Sequence, residues 1–255
     1  MVRVGAQLYT VREFAKTPED LSLAFKKIKE MGYKTIQISG AGKDISVEYI
    51  ADALKEYDLE CVVTHIPFED MLNDFDAVIA KHNAWNCNYI GTGSMPADWR
   101  NEEGFYRFAK EAGEVAEKMK AVGKTFIYHN HSFEFAKYGE KRGMDILFDN
   151  TPNSFQFELD VYWVQNAGAD PIEWIKKVAG RMDIMHYKDM DMIVGEKDHI
   201  MAPIGGGNMN WPGIVKALNE TGVKFGFVEQ DVCRTDAFDC LKESMIYLNS
   251  IGVPV

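Results

Sequence analysis

Tyr128-His129-Asn130-His131, Glu158-Leu159-Asp160, His186-Tyr187-Lys188-Asp189 and Val228-Glu229-Gln230-Asp231 each close a short apolar segment of the chain. Histidine and carboxylate side chains are the residue types that hold a divalent metal. The four segment ends lie far apart in sequence. A closed or wound parallel sheet brings such ends to one point.

Outward from these ends, short apolar runs alternate with longer amphipathic stretches. The pattern predicts strands at about 3–9, 34–38, 59–65, 87–91, 124–130, 154–160, 182–187 and 223–229. Helices are predicted at about 18–31, 46–57, 69–84, 102–122, 142–149, 171–179, 211–221 and 236–250. Thr17-Pro18, followed by Glu19 and Asp20, places proline and acids in a first helical turn; Asp170-Pro171 and Trp211-Pro212 repeat the device. Gly32, Gly123, Gly180 and Gly222 each follow a helical run, where glycine takes the left-handed cap conformation. Eight strand–helix units predict an α/β fold, a (β/α)8 TIM barrel forming one domain over residues 1–255. The alternative is a doubly wound open sheet, which typically carries a Gly-rich loop after its first strand. Here the first strand is followed by Gln7-Leu8-Tyr9-Thr10. The longest irregular stretch, about 188–210, is expected to fold over the barrel mouth as a lid.

The 255 residues are 46% hydrophobic and 26% charged, an ordinary globular composition, with a net charge of -11. That balance lacks the basic footprint of a nucleic-acid binder. No run approaches the roughly 18 apolar residues of a membrane span. The opening MVRVGAQLYTV reads as a short strand with a charge inside it, not as a signal peptide. Cys61, Cys87, Cys233 and Cys240 include no CxxC pair and are read as reduced thiols. A cytoplasmic enzyme with a small-molecule substrate is expected, with no membrane and no nucleic acid as partner. Phe14, Trp85 and Trp99 are the residues expected to serve as an interface if the protein is a homo-oligomer.

Barrel active sites lie at the C-terminal ends of the strands. Asp160, His186 and Glu229 end strands six, seven and eight, so they are neighbours around the ring. This set suits Mn²⁺, Co²⁺, Zn²⁺ or Fe²⁺; alternatively each caps or hydrogen-bonds a strand end. Residues two apart share a strand face. His129 and His131 therefore point the same way, one suited to a metal and the other to substrate or support. Glu158 either lies beneath Asp160 on one side or is separated from it by the strand end. Glu134 has the chemistry of a general base, or is a solvated loop carboxylate. His65, before the turn at Pro67, is expected at the mouth. His82 and His199 are expected on the surface. Lys188 either steadies an oxyanion or is a buried ion-pair partner of Asp189 or Asp160. Tyr162 and Trp163 form a candidate apolar wall for a sugar ring. Gly205-Gly206-Gly207 lacks the GK[ST] of a phosphate loop and reads as a tight, mobile turn.

The chain resembles the xylose isomerase-like TIM barrel superfamily, in its sugar phosphate isomerase/epimerase branch, along its whole length. GAQLYTVR at 5–12, YHNHSFEF at 128–135, ELDVYWVQNAG at 158–168, HYKD at 186–189, GGGNMNW at 205–211 and VEQD at 228–231 carry the resemblance. It implies one divalent metal, Mn²⁺ foremost, held by Glu, Asp, His and Glu at the ends of strands five to eight. Asp160, His186 and Glu229 match the last three. Many relatives read Leu-Glu-Asn-His where this chain has Tyr128-His129-Asn130-His131, so His129 stands in the place of a glutamate. The two-glutamate proton shuttle of ketose epimerases then lacks one member, which Glu134, Glu158 or His131 would have to replace. His65-Ile66-Pro67-Phe68 looks like a turn of the related endonuclease IV-like repair enzymes. Trp163 stands where those enzymes place a histidine ligand, which argues against their chemistry.

The resemblance implies an isomerase or epimerase acting on a sugar or keto-sugar through an enediolate. Glu229, Glu134, Lys188 and His131 are the candidate catalytic groups. His65, Trp163 and Glu158 are the candidate substrate contacts, and His129, Asp160, His186 and Glu229 the candidate metal ligands. A dehydratase or lyase acting by β-elimination on an inosose or 3-keto-glycoside is the alternative, and a non-catalytic sugar-binding barrel the third reading.

Overall fold

A computed structural model of the chain describes residues 2–195 and 197–255. Eight parallel strands close into a barrel: β1 (Arg3–Gln7), β2 (Thr35–Ile38), β3 (Glu60–His65), β4 (Tyr89–Thr92), β5 (Thr125–His129), β6 (Phe155–Asp160), β7 (Ile184–Tyr187) and β8 (Phe225–Val228). Each pairs with its sequence neighbours, and β8 returns to β1. The expected barrel is therefore the fold.

Among the described residues, nine α-helices lie between the strands and a tenth follows β8: α1 (Pro18–Met31), α2 (Val47–Glu56), α3 (Phe68–Asn73), α4 (Phe75–Ala84), α5 (Glu102–Ala121), α6 (Gly143–Asn150), α7 (Val161–Asn166), α8 (Pro171–Lys177), α9 (Trp211–Thr221) and α10 (Ala237–Ser250). The local start signals work as chemistry requires. Thr17 and Asp170 each accept a hydrogen bond from a first-turn N–H, with proline next in sequence. Two expectations need correcting. The predicted helix at about 69–84 is two helices, because Asp74 adopts φ -131° and ψ 40° between α3 and α4. The short helix α7 begins directly at Asp160, where no helix was predicted.

Alternation along the strands sorts the side chains into layers inside the barrel. Val62, Val63, Ile127, Ile184 and Phe227 form an apolar cluster apart from the main core. Ile127, Ile184 and Phe227 lie two residues before His129, His186 and Glu229 respectively, the last of these just past the end of β8, so the apolar layer is the floor under the ligating residues. The floor is tightly filled: a Cβ on Gly5 would lie 2.5 Å from the Phe227 ring, and one on Gly91 2.5 Å from Ile127. The main core lies outside the strands, against the helices.

The stretch after β7, expected as a lid, contains a short antiparallel pair among its described residues. Asp189–Asp191 pairs antiparallel with Ile200–Ala202, and Asp189 ties the turn beyond this hairpin to it. Its carboxylate accepts hydrogen bonds from Trp211 Nε1 at 2.7 Å and from the backbone N–H groups of Met190, Gly205, Gly207 and Met209. A Cβ on Gly207 would fall 2.5 Å from Asp189 Oδ1, so glycine is needed for this approach. Three surface expectations also fail or narrow. His82 is fully buried, bonded to Thr64 Oγ1 at 2.7 Å and the Val78 carbonyl oxygen at 2.6 Å. Trp85 is buried with its Nε1 donating to the Val47 carbonyl, and Trp99 packs on Phe68 and Phe108, leaving Phe14 as the exposed member of the proposed interface trio. His199 is exposed, as expected.

Candidate metal centre

His129, Asp160, His186 and Glu229 converge at the C-terminal mouth of the barrel, and one ligand atom from each lies within 4.8 Å of all the others. His129 Nδ1 lies 3.1 Å from the Gly93 carbonyl oxygen, which can only accept, so Nδ1 carries the proton. Its Nε2 faces Asp160 Oδ2 at 3.3 Å. His186 Nε2 lies 2.8 Å from Gln37 Oε1, again an acceptor, and its Nδ1 faces Glu229 Oε2 at 2.8 Å. Two imidazole nitrogens and two carboxylate oxygens are thus aimed at one point. Such a set fits a borderline divalent cation.

Charge makes the same case. Glu158, Asp160, Glu229 and Asp231 are four carboxylates in or beneath the mouth, and the first three are buried. Lys188 is the buried amine among them, 3.3 Å from Asp160, 3.0 Å from Glu229 and 2.9 Å from Asp231. One ammonium leaves negative charge in excess, which a bound cation would offset. Burial acts to raise the pKa of Asp160 and Glu229, but Lys188 and the neighbouring histidines outweigh it and hold both well below the usual carboxylate range. Burial acts to lower the pKa of Lys188, but Glu229, Asp160 and Asp231 keep it raised and charged. Lys188 does not pair with Asp189, which is committed to the loop.

Asp160 serves two purposes. Its Oδ1 caps α7, accepting from Tyr162 N at 2.9 Å and Trp163 N at 3.2 Å, which leaves Oδ2 turned to the mouth. Asn130 braces the strand end, its Oδ1 accepting from Asp160 N at 2.9 Å.

A cavity of about 240 Å³ opens above the cluster, lined by Tyr9, Ser39, His65, Gly93, His129, His131, Lys188, Glu229 and Asp231. A wider groove of about 490 Å³ lies elsewhere, beside Leu54, Lys55 and Trp85, and carries none of the ligating residues. His131 lines the mouth, and burial lowers its pKa to about 3, so its ring stays neutral. Trp163 sits behind it, ring centroids 5.3 Å apart, and is not itself in the cavity wall.

Two candidate residues lie away from the cavity. Glu134 is fully buried, accepting from the Tyr128 hydroxyl at 2.6 Å and from His131 N at 2.9 Å. Burial raises its pKa to about 7, but the carboxylate is sealed from the mouth, because the turn after β5 folds it back against its own strand. Glu158 lies one layer below Asp160, in contact with His65, Gln37 and His186, with no exposed surface. Sequence reading missed Gln37, Tyr9 and Ser39. The signal for Gln37 was a polar residue inside the apolar run Thr35-Ile36-Gln37-Ile38. The β2–β3 register shift between Ile36 and Gln37 helps bring it under the site.

Residues 25–230 match the model of the xylose isomerase-like TIM barrel family. The chain belongs to that family. No functionally curated protein matches it by sequence. Among solved structures, a sugar phosphate isomerase/epimerase from Parabacteroides distasonis superposes with a TM-score of 0.78 at 23% identity, over 100% of this chain and 96% of that one. A probable 3-DHS dehydratase, AsbF, from Bacillus anthracis gives 0.72 at 16% identity, over 98% and 99%. The IOLI protein, whose structure holds a zinc atom, gives 0.71 at 13% identity, over 98% of each chain. At these identities the likeness establishes the shared barrel. Among the described residues, no helix of this family member is long and apolar enough to cross a membrane.

Proposed function

We propose that this barrel is a metal-dependent enzyme that moves a proton on a carbon beside the carbonyl of a sugar or keto-sugar, as an isomerase or epimerase. The observation that carries the reading is the convergence of His129, Asp160, His186 and Glu229 within 4.8 Å. A divalent ion bound there, Mn²⁺ or Zn²⁺ above others, would polarise a substrate carbonyl and its neighbouring hydroxyl. Glu229 is the one ligand-type carboxylate that also lines the cavity, and we assign it the proton transfer. Removal of the proton gives an enediolate, whose negative charge faces the Lys188 ammonium in a water-poor site. His131, neutral and in the wall, suits a substrate hydroxyl. The sealed position of Glu134 takes it out of the proton relay.

The loss of Glu134 from the relay supports a second reading. Where family members with two glutamates can act on both faces of a substrate, this cavity offers Glu229 and Asp231 as its only lining carboxylates among the described residues, both from the end of β8. Proton removal on one face followed by loss of a β-hydroxyl or aglycone needs a single base, so a dehydratase or lyase acting on an inosose or 3-keto-glycoside is the alternative. The similarity to a probable dehydratase supports keeping it.

One experiment separates the two. Purified protein with Mn²⁺ is incubated in D₂O with ketoses, inososes and 3-keto-glycosides, and products are read by mass. Deuterium gained at unchanged composition marks isomerisation or epimerisation. A product lighter by water, or a freed aglycone, marks elimination. No turnover across the panel, with sugar still bound, would leave a binding protein.

A further inference from the structure

Glu158 is a fully buried carboxylate outside the cavity wall, and neither the ligand set nor the proton transfer uses it. It sits on β6 directly beneath Asp160. One of its oxygens contacts His65 Nε2 and accepts from Gln37 Nε2 at 3.2 Å. The other lies 3.3 Å from His186 Nε2. An ionised carboxylate only accepts, so it orders the protons around it. His65 Nε2 is also 2.9 Å from Gln37 Nε2. A proton on His65 Nε2 directed to Glu158, with the Gln37 amide donating to the same oxygen, gives that oxygen two donors. Gln37 Oε1 is then free to accept from His186 Nε2 at 2.8 Å. The pattern is self-consistent: both histidines carry a proton on Nε2, and Nδ1 is the nitrogen each turns to another partner.

The two Nδ1 atoms have different tasks. His186 Nδ1 belongs to the ligand set. His65 Nδ1 makes no hydrogen bond among the described residues, and His65 lines the cavity beside Gly93. A Cβ on Gly93 would stand 3.2 Å from His65 Nδ1, so glycine keeps that nitrogen uncovered. We propose that Glu158 is a positioning residue that sets the tautomer of two histidines at once: His186, so that Nδ1 serves the cation, and His65, so that Nδ1 accepts a hydrogen bond from a hydroxyl of the bound sugar. The His186 half rests on the metal reading above; the His65 half concerns this chain's own proton placement and stands apart from it.

The test uses ¹⁵N-histidine-labelled full-length protein loaded with Zn²⁺, read by long-range ¹⁵N–¹H NMR. His65 and His186 are both expected as Nε2–H, with His186 Nδ1 shifted by the ion. Glu158→Gln, nearly the same shape, should keep the fold but weaken Zn²⁺ binding by about 10–100-fold and leave His65 as a mixture of tautomers. A proton on His65 Nδ1 in the wild type overturns the proposal. So does a Glu158→Gln protein with unchanged Zn²⁺ affinity and an unchanged His65 tautomer. If Glu158→Gln does not fold, the wild-type tautomers alone decide. If the wild type binds no Zn²⁺, the metal reading and the His186 half fall, and the His65 spectrum of the metal-free protein still decides the rest.

Discussion

Asp160 Oδ2 stands 3.3 Å from His129 Nε2, and both atoms are acceptors when the ring carries only the Nδ1 proton that it donates to Gly93. In a buried site such a pair needs something positive between its atoms, either a second proton on the ring or a bound cation. The cap that Asp160 provides to α7 prevents the carboxylate from turning away.

Divalent metal is therefore expected to stabilise the protein as well as activate it. At a concentration about 100 times its Kd, Mn²⁺ should add roughly 2.7 kcal/mol of stability, seen as a raised Tm that EDTA reverses. Metal analysis should return close to one ion per chain. Less than about 0.2 after Mn²⁺ or Co²⁺ supplementation would reject the centre.

Glu229→Gln should fold, because the amide keeps the shape of the carboxylate near His186 and Lys188. Turnover should fall by roughly 10²–10⁴-fold, the range for a lost acid–base group. Deuterium wash-in at the substrate carbon should fall with it. Wash-in at the wild-type rate would remove Glu229 from the proton transfer.

Glu134 and Tyr128 should behave as structure. Tyr128→Phe leaves a buried carboxylate short of one donor, which should destabilise the fold by about 1–3 kcal/mol while metal stoichiometry is unchanged. Urea melts and metal analysis of the same preparation check both halves. Metal lost along with stability would instead tie this pair to the centre.

His82 gives a pH signature far from the cavity. Burial lowers its pKa from 6.5 to about 4. Below about pH 6.5 the unfolded chain takes up a proton that the folded chain refuses, so the stabilising contribution is complete above that pH and is lost as pH falls toward the folded pKa. Between pH 7 and pH 5 the loss should reach about 2 kcal/mol. The difference in stability between wild type and His82→Gln, followed by denaturant melts at several pH values, should shrink on acidification. A difference independent of pH would mean that His82 charges freely in the folded state.

Asp189 should control the segment after β7. It accepts five N–H groups, including Trp211 Nε1. Asp189→Ala should destabilise the protein by roughly 3 kcal/mol, on the scale of charge-assisted bonds lost together with burial of their donors. Limited proteolysis should begin between residues 190 and 210. Wild-type resistance there would show that the hairpin holds itself.

Much of this was legible in the sequence. The eight-fold strand–helix alternation gave the barrel, and Thr17, Asp170, Gly32 and Gly222 marked helix ends because capping is settled within a few residues. Asp160, His186 and Glu229 were readable as strand-end ligating types, and parallel pairing of β6, β7 and β8 made them neighbours. Direction was not readable. Glu134 and Glu158 look as reactive in the sequence as Glu229, yet the turn after β5 folds one onto Tyr128 and strand alternation sinks the other one layer below the mouth. His82 looked solvated on a polar helix, but Thr64 and the Val78 carbonyl satisfy both ring nitrogens and allow its burial. Gln37 carried little local signal, since its importance lies in meeting His65, Glu158 and His186 from three other strands. Local propensity and periodicity are properties of neighbouring residues, so the chain itself determines them; which acid meets water, metal or another side chain depends on contacts between distant strands, and only closure of the barrel decides those.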